Sequence, residues 1–175
     1  DPEGVTSDFF NTGFDVVISG IDTNEVLTVA KQKSAERKKV WATGSHHPET
    51  CEDSSEVCLG VPIDNWGLGY VQLIKSAMSG KWKSRWVIIG PDWKDINNLD
   101  TSGVGFLDGP ALSPSARAEL HSFIDDLGSN RLNLFKGPLN YQDGKPFLKE
   151  GEAAGNNRRW FMEQLLEGMS GQSKS

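Results

Sequence analysis

The residues able to do chemistry fall into three short loops. Ser19-Gly20-Ile21-Asp22-Thr23 puts a hydroxyl, a flexible glycine and a carboxylate just ahead of an amphipathic run. Asp22 can accept from a sugar hydroxyl or a base N–H, and it can equally cap the helix that follows. Gly44-Ser45-His46-His47 offers two imidazoles. Adjacent histidines rarely aim at one ion without further ligands, so His46 is expected to contact a solute rather than a metal. Pro62-Ile63-Asp64-Asn65-Trp66-Gly67 presents Asn65 as donor and acceptor and Trp66 as a flat face for stacking. Packing of Trp66 beneath the next helix is the competing reading. Phe106, between Gly105 and Asp108, is a further contact candidate. Trp82, Trp86 and Trp93 fit packing better than a ligand cage.

Signatures of catalysis do not occur. There is no G-x-S-x-G elbow, P-loop, G-x-G-x-x-G or H-E-x-x-H. Gly103-Val104-Gly105 is a lone G-x-G, and Asp125-Asp126 is a solvated pair rather than a spaced acid/base couple. A non-enzyme without cofactor is expected. Cys51 and Cys58 share one polar loop, and a disulfide is favoured there over a zinc site. A disulfide implies an oxidising compartment.

These loops need elements to hold them. Asp1-Pro2 opens a helix with Val5, Phe9 and Phe10 inward, closed by Gly13. Phe14–Ser19 reads as a buried parallel strand. Asn24–Lys33 is a helix burying Val26, Val29 and Ala30, and Lys39–Thr43 is the next strand. Leu59–Ile63 is extended. Gly67–Ser79 is a helix with Leu68, Val71, Ile74 and Met78 on one face. Trp86–Gly90 reads as a strand, and Val104–Leu107 as a short apolar piece in a Gly-rich stretch. Ser113-Pro114 starts a helix with Ala116, Leu120, Phe123, Ile124 and Leu127 inward. A last helix covers about 157–169 and buries Phe161, Leu165 and Met169. Alternating strands and helices predict an α/β fold: an open, mostly parallel sheet with helices on both faces. Residues 1–169 form one lobe in this reading, and 170–175 a disordered tail. Ligands of such sheets sit beyond the carboxyl ends of the strands, where the three loops lie.

With 175 residues, 37% apolar and 24% charged, the chain has ordinary globular composition. Its net charge is −6 and its pI about 5.1. The basic run Lys31, Lys33, Arg37, Lys38 and Lys39 flanks a helix end, where cations suit the dipole. A nucleic-acid partner is not expected.

The segment 131–151 is the most distinctive. It reads as a strand through Leu132 and Leu134, a Gly137-Pro138 break, a Tyr141-Gln142-Asp143-Gly144 turn and a returning strand at Lys145–Leu148. Its phrase FKGPLNYQDGKPFLKEGE, followed by LLEGM, resembles the C-terminal end of the basic membrane protein (BMP/PnrA-like) family of substrate-binding lipoproteins of ABC transporters. Asp1-Pro2, Gly13-Phe14-Asp15-Val16-Val17, Asn65-Trp66-Gly67 with Tyr70, and Gly80-Lys81-Trp82 follow in family order, so the resemblance covers nearly the whole chain. It implies one lobe, the C-terminal one, of a type I periplasmic binding protein, with 131–151 forming part of the hinge and an N-terminal lobe as companion. It also implies a purine nucleoside or related ligand, an ABC permease as partner, and a periplasmic or extracellular location, membrane-associated in the full-length form. The family's T-D-S-type turn matches the Asp22 loop. Its second loop often carries Asp where this chain has His46-His47, which places nucleoside specificity in question. An extracytoplasmic sensor domain of a signalling protein is the alternative. A lone lobe supplies half the contacts, so weak or no solute binding by this chain alone is expected, together with self-association through the exposed face.

Overall fold

A computed structural model describes residues 1–36 and 38–172. Arg37 of the basic run and Ser173–Ser175 of the expected tail lie outside the described residues. The chain forms two compact units, Asp1–His121 and Ser122–Ser175.

The first unit begins with α1 (Pro2–Asn11). Asp1 accepts from the Gly4 amide at 3.3 Å and Pro2 occupies the first turn, where its missing N–H costs nothing. Four strands follow in the order β1-β2-β3-β4: β1 (Val16–Val17), β2 (Trp41–Thr43), β3 (Cys58–Asp64) and β4 (Val104–Asp108). The β1–β2 and β2–β3 pairs are parallel, and β3–β4 is antiparallel. The result is a mostly parallel sheet flanked by helices, and an antiparallel edge strand is a common ending for such a sheet. α2 (Glu25–Ala35) joins β1 to β2 and buries Val26, Leu27, Val29 and Ala30. These side chains meet Phe10, Val40, Ala42, Val57, Cys58 and Val61 in one core.

Several expected elements differ. The first strand shrinks to Val16–Val17, and Phe14 and Ile18 are exposed. Trp86–Gly90 forms no strand. Asn-Asp side-chain turns at Asp92, Asp95 and Asn98 fold the chain back. Gly103 N–H donates to Gly90 C=O, closing the loop, and delivers Val104–Asp108 to the free side of β3. In α1 only Phe10 of the expected trio is buried. α3 (Trp66–Met78) buries none of its residues, so Val71, Ile74 and Met78 are not core. α4 (Pro114–Gly128) likewise buries none.

In the second unit, β5 (Leu139–Asn140) and β6 (Pro146–Leu148) form an antiparallel hairpin around the expected turn, with Gly144 at φ +80. No strand forms at 131–135. Phe147 and Leu148 are the buried anchors. The Tyr141 ring lies 5.1 Å from Phe147 and the Arg158 guanidinium stacks on it at 5.1 Å. The last helix is α5 (Asn156–Trp160) alone. The chain beyond it is drawn into pairing instead. Gln142 N–H donates to Leu165 C=O and Tyr141 bridges Leu166. Phe161 and Met169 consequently stay exposed.

Candidate functional site

The carboxyl ends of β1, β2 and β3 place their loops side by side. His46, three residues past β2, stands at their centre. Its Nε2 lies 2.8 Å from Asp22 Oδ1 and its Nδ1 lies 2.9 Å from Asp64 Oδ2. One imidazole thus ties the loop after β1 to the end of β3. Each ring nitrogen faces one carboxylate oxygen, Asp22 on one side and Asp64 on the other. The backbone prepares this arrangement. His46 sits at φ +59, and its amide donates to Pro62 C=O at 3.0 Å, which aims the ring across the strand ends.

Ser19 is buried at the end of β1's loop. Its amide donates to Thr43 Oγ1 at 3.1 Å and its hydroxyl donates to Ile21 C=O at 3.2 Å. These bonds fix the path leading to Asp22. Asp22, Thr23, Asn24, His47, Glu49 and Thr50 line an open cleft of about 300 Å³. Beside it, the Thr23 hydroxyl and the Glu25 amide hold the Glu25 carboxyl below its usual range. The cleft therefore presents carboxylates, hydroxyls and an amide, a lining suited to a ligand rich in N–H and O–H donors.

Asn65 is engaged elsewhere: its side-chain amide donates to the Leu99 and Ser102 carbonyls at 2.6 and 2.9 Å. It fastens the 91–103 loop to the head of α3. Trp66 is not packed beneath α3; it is 67% exposed, with its face free to stack. Phe106 lies on β4 opposite Pro62, and its ring covers Gly60, whose position leaves no room for a Cβ. Asn97 brackets Phe106, accepting from its amide at 2.9 Å and donating to its carbonyl at 3.0 Å. So Asp22 and His46 come together, Ser19 supports them, and Asn65, Trp66 and Phe106 lie around β3 and β4.

Cys51 and Cys58 are joined, with Cα atoms 5.5 Å apart. The bond ties the 3-10 turn Pro48–Ser54, which carries Glu49 and Thr50, to the first residue of β3. Sequence reasoning missed Asp64 as the second carboxylate on His46, because the pairing depends on strand order rather than spacing. It also passed over the alternation Lys81-Trp82-Lys83-Ser84-Arg85-Trp86, a signal fully visible in the sequence. No helix among the described residues is long and apolar enough to cross a membrane.

No known family profile matches the chain. A purine-binding protein of Brucella abortus (strain 2308) is 26% identical over 142 residues, which cover 81% of this chain and 37% of that protein. The chain thus spans little more than a third of this curated relative. A transcriptional activator of the comK gene from Bacillus halodurans superimposes with a TM-score of 0.52 at 15% identity, over 75% of this chain and 42% of its own. An ABC transporter solute-binding protein from Conexibacter woesei DSM 14684 gives 0.46 at 12% identity, over 76% and 41%. The likeness to the Bacillus halodurans protein is one of fold, and the sequence likeness is to a binding protein.

Proposed function

We propose that this chain is a solute-binding component of an ABC uptake system that takes a purine nucleoside or related small molecule without covalent chemistry. The observation that carries the reading is the similarity to a purine-binding protein across 81% of the chain. The donor-seeking cleft at the strand ends supports it. In this proposal Asp22 receives ligand hydroxyl or N–H groups, His46 orders the carboxylates around it, and Trp66 stacks on a flat ring. Asn65 acts indirectly by holding the 91–103 loop at the head of α3, Phe106 flanks the site on β4, and Ser19 holds the first loop in place. Residues 1–169 act as one lobe of the BMP/PnrA-like type, 131–151 as part of a hinge, and a companion lobe completes the ligand's enclosure. An ABC permease is the partner, and the compartment is periplasmic or extracellular. The Cys51–Cys58 bond agrees with an oxidising location.

Calorimetric titration of purine nucleosides and bases into the longest natural form of the protein, companion lobe included, tests this. Saturable binding, weakened about tenfold or more by Trp66→Ala or Asp22→Ala, is the expected outcome. Because Asp22 and Trp66 are exposed, both variants retain the fold. Flat traces across the panel overturn the purine assignment.

A further inference from the structure

Charge is distributed unevenly along this acidic chain. From Asn65 to Pro91 there is no Asp or Glu, although the chain holds 24 of them, and the span carries Lys75, Lys81, Lys83 and Arg85. α3 opens this span. Gln72, Lys75 and Ser76 fall on one side of it, Lys75 is its one charge, and none of its residues is buried. Tyr70, Ile74 and Met78, spaced four apart, are 61, 57 and 85% exposed. Directly after it, Lys81–Trp86 alternates cations with tryptophan in an exposed segment without regular structure.

We propose that α3 and the Lys81–Trp86 segment form a docking surface for an anionic lipid bilayer. Indole and phenol rings settle at the headgroup level, and Ile74 and Met78 supply the aliphatic surface that enters the acyl boundary. Lys81, Lys83 and Arg85 meet lipid phosphate and carboxylate groups, and their own span, 65–91, contributes no acid to oppose them. Other occupants fit less well. Single-stranded nucleic acid would use the cations and the tryptophans, but it has no use for the Ile74–Met78 stripe. A second copy in a two-fold contact would set this positive patch against itself.

Flotation of the intact chain with vesicles tests the surface. Wild type is expected to float with phosphatidylcholine vesicles in which about a third of the lipid is phosphatidylserine, and to stay behind with phosphatidylcholine alone. Higher salt weakens the association. Lys81→Glu/Lys83→Glu/Arg85→Glu, confined to exposed residues, is expected to lower partitioning by about a hundredfold or more with an unchanged far-UV spectrum. Ile74→Glu should lower it separately. No flotation with the anionic vesicles overturns the proposal. So does equal flotation with neutral lipid, or retention on single-stranded oligonucleotide without vesicle binding. A wild-type dimer that Ile74→Glu converts to monomer would assign the face to a second copy and equally overturn it. None of these outcomes depends on whether the cleft binds purines.

Discussion

His46 holds a backbone conformation that costs a non-glycine residue about 1–3 kcal/mol, and its ring contacts to Asp22 and Asp64 accompany that geometry. Of this group, the sequence displays Asp22 and His46 as loop residues suited to polar contact. Asp64 takes its role from the adjacency of β2 and β3. At the same scale, Asp143 shows what a turn can do to one carboxyl. The Lys145 ammonium, the Gln164 amide and the Lys145 backbone N–H hold it at about 2, against an ordinary value of 3.8. A depressed carboxyl favours the fold above its unfolded value, and that contribution fades as pH falls from about 4 to about 2. Asp143→Asn should therefore flatten the fall of the urea midpoint in this window. An unchanged acid limb would mean that the turn's carboxylate does not stabilise the fold.

α2 and α3 show how far periodicity reaches. Both carry apolar residues at helical spacing, and both form. Burial depends on what stands opposite. α2 lies against α1 and β2 and buries Leu27 to 1% exposure, whereas Met78 on α3 is 85% exposed. Leu27→Ala is expected to cost about 2–5 kcal/mol and Met78→Ala about 0.5 kcal/mol or less in urea unfolding. A large cost at Met78 would show that the face is covered in solution. Trp86–Gly90 makes the same point for strands. The run has strand composition, yet the side-chain turns of 92–100 bring a later segment to β3.

For the whole molecule, alternation of apolar runs and loop signals was sufficient to predict an α/β class with a mostly parallel sheet, because local patterning and strand connection rules agree. The direction of β4, the shortness of β1 and the early end of α5 were not legible, since each is decided by a partner distant in the chain. The placement of charge was legible and bears on association rather than fold.

The two bonds from Asn97 to Phe106 have a consequence for colloidal behaviour. β4 is the last strand of the sheet, and its outward amide and carbonyl would otherwise offer a template to any extended chain. One side chain occupies both, in the manner of a short mimic of a fifth strand. Asn97→Ala should uncover that rim and hasten growth of thioflavin-positive aggregates at moderate concentration, with little loss of helix signal. If scattering and dye binding stay level, some other group guards the rim. By this account Asn97 is a solubility gatekeeper, protecting a molecule that displays unusual amounts of aromatic surface from templated growth of its own sheet.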